Sequence, residues 1–156
     1  MTVEIGKIAP SFNLPCDDGT NIDLSELRGK NVVLYFYPKD DTPGCTIEAQ
    51  DFSSKIEDFK KLDTVILGVS KDSVKSHVKF IEKYKLAFNL IADEAKTLCE
   101  DYEVLKEKSM FGKKYMGIDR STFIIDKKGN IAKIFRSVKV NGHVEEVLTE
   151  LKKMEE

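Results

Sequence analysis

One cysteine in this chain is delivered with considerable local preparation. The stretch YFYPKDDTPGCTIEAQ, residues 35–50, leaves an apolar run through Pro38, Pro43 and Gly44, reaches Cys45 and continues in helix-forming residues. A cysteine acts as a nucleophile through its thiolate. A helix amino terminus supplies unpaired N–H groups and the positive end of the dipole, and both favour an anion. Pro43 and Gly44 turn the chain from strand into helix and put Cys45 in the first helical turn. Asp40 and Asp41 push the other way, so the pattern calls for a basic residue brought from elsewhere.

Ionisation alone makes a modest catalyst. A free cysteine with a pKa of about 8.5 is already a few per cent thiolate near neutrality, so full ionisation gains only about ten- to thirty-fold. Larger acceleration needs groups that bind the reacting partner more tightly in the transition state, and a hydroxyl and a guanidinium near the sulfur meet that need.

The remaining composition narrows the chemistry. Three cysteines, Cys16, Cys45 and Cys99, are too few and too far apart for a secreted disulfide framework. There is no Cys-x-x-Cys pair, and His77 and His143 have no cysteine or second histidine at ligand spacing, so neither a zinc site nor a thioredoxin-type dithiol is expected. Without a Gly-x-Gly-x-x-Gly after a strand or a P-loop glycine-lysine pair, no cofactor is expected either. The 25 basic and 27 acidic residues nearly cancel, which argues against nucleic acid or an anionic membrane as the main partner. The opening MTVEIGKIAP lacks the pattern of a signal peptide and no run approaches a membrane span, so a cytoplasmic protein is expected. At 156 residues with 41% hydrophobic content, the expectation is one domain, 1–156, with a substantial core.

The elements that must position Cys45 follow from periodicity. FNLPCDDGTNIDL reads as a small amino-terminal hairpin, and NVVLYFYP as a strand buried on both faces. Cys45, Ala49, Phe52, Ile56, Phe59 and Leu62 recur at spacings of four and three, the apolar face of one helix. TVILGVS and FNLIAD read as strands, with SVKSHVKFIEKYKL and EAKTLCEDYEV as helices between and after them. Strands alternating with helices imply a parallel core to the sheet. STFIID, KKGN and IAKIFRS then read as an antiparallel hairpin, and GHVEEVLTELKKM closes as a helix with Val144, Val147, Leu148 and Leu151 inward. A βαβ unit followed by a hairpin and a terminal helix is the order of a thioredoxin-like α/β fold, a central mixed sheet flanked by helices. LKEKSMFGKKYMGI, between Val104 and Asp119, reads as a long loop with Met110, Phe111 and Met116 exposed.

These residues carry a resemblance. Pro38, Thr42 and Cys45 in PKDDTPGC look like the Pro-x-x-x-Thr-x-x-Cys motif of the peroxiredoxins, and YFYPKDDTPGCTIEAQDF is similar to the bacterioferritin comigratory protein (PrxQ) subfamily. The likeness extends from APSFNLP through LRGKNVVLYFYP and GVSKDS to YMGIDRSTFIID, essentially the whole chain. It implies a thiol-dependent peroxidase for hydrogen peroxide and organic hydroperoxides, serving antioxidant defence, in which Cys45 attacks the O–O bond and becomes a sulfenic acid. It also implies that Thr42 hydrogen-bonds the peroxide, that Pro38 limits water access, and that Arg120, in GIDRST, stabilises thiolate and leaving oxygen. A monomer is implied too. Taken singly, each residue has a plainer role: turn punctuation for Pro38, a helix cap for Thr42, a surface ion pair for Arg120, a small buried hydrophobe for Cys45.

The partner of Cys45 is missing. Members of this subfamily carry a resolving cysteine five residues after the peroxidatic one, where this chain has Gln50, or in the following helix, where SVKSHVKFIEKYKL has none. Cys99 is the first substitute, although it shares a helical face with Ala95, Leu98 and Tyr102 and reads more simply as a core residue. Cys16, beside Pro15 and two aspartates in an expected turn, reads as an exposed thiol of raised pKa. The favoured expectation is a one-cysteine cycle in which an external thiol, glutathione or a thioredoxin, reduces the sulfenic acid. The alternative use of the same cysteine is a peroxide sensor or redox-regulated chaperone.

Overall fold

The computed structural model describes residues 3–155. Its chain order is β1 (Asn13–Pro15), β2 (Asn21–Asp23), β3 (Asn31–Phe36), α1 (Pro43–Ser54), α2 (Ile56–Lys61), β4 (Thr64–Ser70), α3 (Val74–Tyr84), β5 (Asn89–Ala92) and α4 (Thr97–Asp101). It continues with β6 (Leu105–Met110), β7 (Lys113–Ile118), β8 (Ser121–Ile125), β9 (Ile131–Phe135) and α5 (His143–Met154). The central sheet runs β5-β4-β3-β8-β9. Strands β3, β4 and β5 are parallel, whereas β8 pairs antiparallel with both β3 and β9, which makes the sheet mixed. The amino-terminal segment forms the expected hairpin, β1 against β2.

Strand β3 is buried on both faces because it lies at the centre of this sheet. Alternation sends Val32, Leu34 and Phe36 to one face, where they meet Leu98, Cys99 and Tyr102. Val33, Tyr35 and Tyr37 go to the other face, where they meet Cys45, Ala49 and Phe52 of α1 and Val147 and Leu151 of α5. The sheet therefore separates Cys45 from Cys99. The inward face predicted for α5 is observed, with Val144, Val147, Leu148 and Leu151 all buried.

Three expectations are corrected. The apolar series from Cys45 to Leu62 is two helices, broken at Lys55, where φ −106° and ψ 13° leave the helical region. The Ser54 hydroxyl there donates to the Asp51 carbonyl, an internal competitor to the helical ladder. Residues 105–118 are not a loop but an antiparallel ribbon, β6 on β7, turned at Phe111 and Gly112, whose φ values of 52° and 78° are those of a tight two-residue hairpin turn. Met110, Phe111 and Met116 are exposed as expected. Cys16 is fully buried rather than exposed: it bridges to Ile91 at the edge of β5, and its thiol donates to Asp18 Oδ1 at 2.9 Å. Burial first, then that carboxylate, raises its pKa.

Candidate active site

Strand β3 ends at the carboxyl end of the parallel strands, and the segment 37–42 carries the chain from there to α1. Thr42 is the residue before the helix, Pro43 its first residue and Cys45 its third, so the cysteine stands in the first turn as the sequence predicts. The first backbone bond of α1 is Thr46 N–H to the Thr42 carbonyl at 2.8 Å. Among the described residues the amides of Gly44 and Cys45 have no protein acceptor, because the Thr42 side chain does not cap the helix. Its hydroxyl donates instead to the Lys39 carbonyl at 2.8 Å, which leaves the oxygen lone pairs available. The capping role considered for Thr42 is thus absent. Two backbone donors and a hydroxyl surround a cysteine that is 2% exposed.

The basic residue that the sequence called for is Arg120. It lies between β7 and β8, where the ribbon returns to the central sheet beside β3. Its Nη2 stands 3.5 Å from Cys45 Sγ, and its Nη1 donates to Glu48 Oε1 at 2.7 Å. Glu48 is fully buried and stands three residues after Cys45 on the same helical face, a residue that the apolar pattern of that face passes over. The signal was there: one charged residue on a face otherwise counted as apolar. Burial pushes its carboxyl up to about 7, against the pull of Arg120, and its second oxygen has no hydrogen-bond partner.

Asp40 and Asp41 do not oppose a thiolate in the way their sequence position implies, because both are engaged elsewhere. Asp40 accepts from Tyr37 at 2.6 Å and Ser76 at 2.8 Å, and lies 2.7 Å from Nδ1 of the fully buried His77. His77 Nε2 faces the Ile91 carbonyl at 2.9 Å. Asp41 accepts from Lys83 and Tyr84 near the far end of α3. Two successive carboxylates thus pin the segment before Cys45 along the length of α3. Pro38 and Thr42 line a cleft of about 750 Å³, whose opposite wall is the β6–β7 ribbon, including Lys108, Met110 and Ile118. Lys39 lies on the same wall as Pro38.

A thiol at a helix start, free amide donors, a hydroxyl and a guanidinium held by a buried carboxylate form a set able to attack an electrophilic oxygen and stabilise the charge that departs. Residues 5–134 match the family model described as the AhpC/TSA family. The chain belongs to the peroxiredoxins. It is 54% identical over 156 residues to "Peroxiredoxin Bcp" of Bacillus subtilis, covering 100% of this chain and 99% of that one. It is 47% identical to "Peroxiredoxin Bcp" of Xanthomonas campestris, covering 92% and 91%. Solved structures agree: a cysteine variant of Xylella fastidiosa PrxQ superposes with a TM-score of 0.94 at 39% identity, covering 100% of this chain and 99% of that one. The Xanthomonas campestris bacterioferritin comigratory protein superposes at 0.92 with 41% identity, covering 98% and 100%. The thioredoxin-like architecture and the PrxQ likeness inferred from the sequence are both shown by these relatives. As a peroxiredoxin the protein is a peroxidase of the oxidoreductase class.

The other two cysteines take no part in this geometry. Cys99 is fully buried in α4 on the far side of the sheet, where its amide donates to Asp93 Oδ2 at 2.8 Å. Desolvation and the Asp93 carboxylate push its thiol pKa far up. Gln50, five residues after Cys45, is exposed on α1.

Proposed function

We propose that the peroxiredoxin reduces hydrogen peroxide and organic hydroperoxides in the cytoplasm through Cys45, as an antioxidant enzyme with a one-cysteine cycle. Cys45 attacks the peroxide as a thiolate and becomes a sulfenic acid. Thr42 and the free amides of α1 hold the peroxide, Pro38 screens it from water, and Arg120 stabilises thiolate and leaving oxygen. The observation that carries these roles is the 3.5 Å contact between Arg120 Nη2 and Cys45 Sγ, with the guanidinium locked on Glu48. "Alkyl peroxide reduction activity" is named for the Xanthomonas campestris relative, and the partly apolar cleft beside Thr42 supports extending it to this chain.

An external thiol of the thioredoxin or glutathione type reduces the sulfenic acid. Support comes from the absence of a cysteine at position 50 or in α3, and from the sheet between Cys45 and Cys99. The test is peroxidase turnover coupled to thioredoxin and its reductase, and in parallel to glutathione and glutaredoxin. Turnover is expected with at least one system, retained in Cys16→Ser and Cys99→Ser and abolished in Cys45→Ser. Turnover by Cys45→Ser, or none by the unmodified chain, contradicts the proposal.

A further inference from the structure

One lysine of the β6–β7 ribbon differs from its neighbours. Lys106, Lys113 and Lys114 are exposed, and Lys114 pairs with Glu107 at 3.6 Å. Lys108 is half-buried, and its Nζ donates to the Ile118 carbonyl at 2.6 Å. Its stem lies across Gly117, where an added Cβ would stand 2.7 Å from Lys108 Cδ. A side chain at position 117 would therefore lift the lysine off the ribbon. Ile118 is two residues before Arg120, so the ammonium is carried to the end of the ribbon where Arg120 meets Cys45. The neutral carbonyl occupies one of its three N–H donors and leaves two. Lys108 lines the cleft with Pro38 and Thr42. Lys39, Lys71, Lys113 and Lys114 also face that cleft, all of them exposed, and among the described residues no carboxylate does.

Peroxide reduction has a proton requirement that neither Arg120 nor Thr42 meets. When the thiolate sulfur takes the terminal OH of a hydroperoxide, an S–O bond forms, the O–O bond breaks and its electron pair departs on the other oxygen as alkoxide or hydroxide. Both are strong bases, and a proton delivered during cleavage lowers the barrier. Arg120 stabilises charge but does not give up protons. The Thr42 proton is committed to the Lys39 carbonyl.

We propose that Lys108 is the general acid of the reaction, passing an Nζ proton to the leaving oxygen so that an alcohol or water departs. The neutral amine recovers its proton from solvent. Burial makes the ammonium proton easier to lose, with Arg120 acting in the same direction and Asp119 and Cys45 in the opposite one. The assignment rests on Cys45 being the peroxidatic nucleophile.

The test is single-turnover formation of Cys45 sulfenic acid, followed by rapid quench and mass analysis, with two oxidants. tert-Butyl hydroperoxide expels an alkoxide that needs a proton, and peracetic acid expels acetate, which does not. Lys108→Met is expected to slow the first about a hundred-fold and the second by no more than about two-fold. Lys108→Arg keeps the charge but not the transferable proton, and is expected to show the same split. Equal losses with both oxidants, no loss with either, or recovery of the tert-butyl hydroperoxide rate in Lys108→Arg overturns the assignment. Absence of sulfenic acid at Cys45 in the unmodified chain with both oxidants instead overturns the proposed function.

Discussion

Gly44 faces Arg120 so closely that a Cβ at position 44 would stand 3.2 Å from Nη2. The guanidinium has little freedom to retreat, because Nη1 is bonded to Glu48 at 2.7 Å and Nη2 is the atom that reaches Cys45. Gly44 lies in the first turn of α1, so alanine there suits the helix better while crowding the arginine. Gly44→Ala is expected to leave stability within about 1 kcal/mol, because the crowded guanidinium offsets the gain in helix propensity. The same variant is expected to lower the second-order rate with peroxide about ten-fold, as a small misplacement of an orienting group does. Chemical denaturation and peroxide kinetics on one preparation check the pair; an unchanged peroxide rate contradicts the proposed role of Arg120.

Glu48 predicts a pH dependence of stability. Its folded-state pKa of about 7 exceeds the ordinary glutamate value of about 4.5, so the folded chain holds a proton that the unfolded chain releases between those values. Stability from this group is therefore fully present below about pH 4.5, declines as pH rises, and levels off above about pH 7, with a total of about 3 kcal/mol. Glu48→Gln keeps a carbonyl oxygen for Arg120 and removes the titration. Urea midpoints at about pH 5 and about pH 8 are expected to diverge in favour of the variant at the higher pH. Parallel pH dependences would falsify this.

Thr42 separates a hydroxyl effect from a helix-cap effect, because its Oγ1 donates to the Lys39 carbonyl and caps nothing in α1. Thr42→Val is expected to lower the peroxide rate by about a hundred-fold or more, whereas Thr42→Ser stays within a few-fold. Equal rates for the two variants would remove the hydroxyl from the mechanism.

The position of Cys45 was legible in the sequence because periodicity marks the strand-to-helix junction at residues 37–45, whereas Thr42 and Arg120 followed only from the resemblance to the peroxiredoxins. The buried strands β3 and β4 announced themselves as continuous apolar runs, since both of their faces meet core. The β6–β7 ribbon did not, because most of its side chains face solvent and no alternation of apolar and polar residues survives. The partner of Glu48 was hidden for a related reason. A buried carboxylate is stable on an apolar face only opposite a guanidinium 72 positions away, and one-dimensional spacing carries no sign of that pairing. Asp40 misled in the opposite sense: adjacency to Cys45 implied repulsion, but tertiary contact with His77 turns the carboxylate toward α3. The burial of Cys16 likewise depends on a bridge to Ile91, far along the chain.

The one-cysteine cycle is tested most directly by the state of the chain after one equivalent of peroxide without reductant. Cys45 lies on one face of the central sheet and Cys99 on the other, and a disulfide needs Cα atoms within about 7 Å. Mass analysis under non-reducing conditions, with dimedone present to trap sulfenic acid, is expected to find the adduct on Cys45 and free thiols at Cys16 and Cys99. A disulfide from Cys45 to Cys99 or Cys16 as the main product contradicts the one-cysteine account.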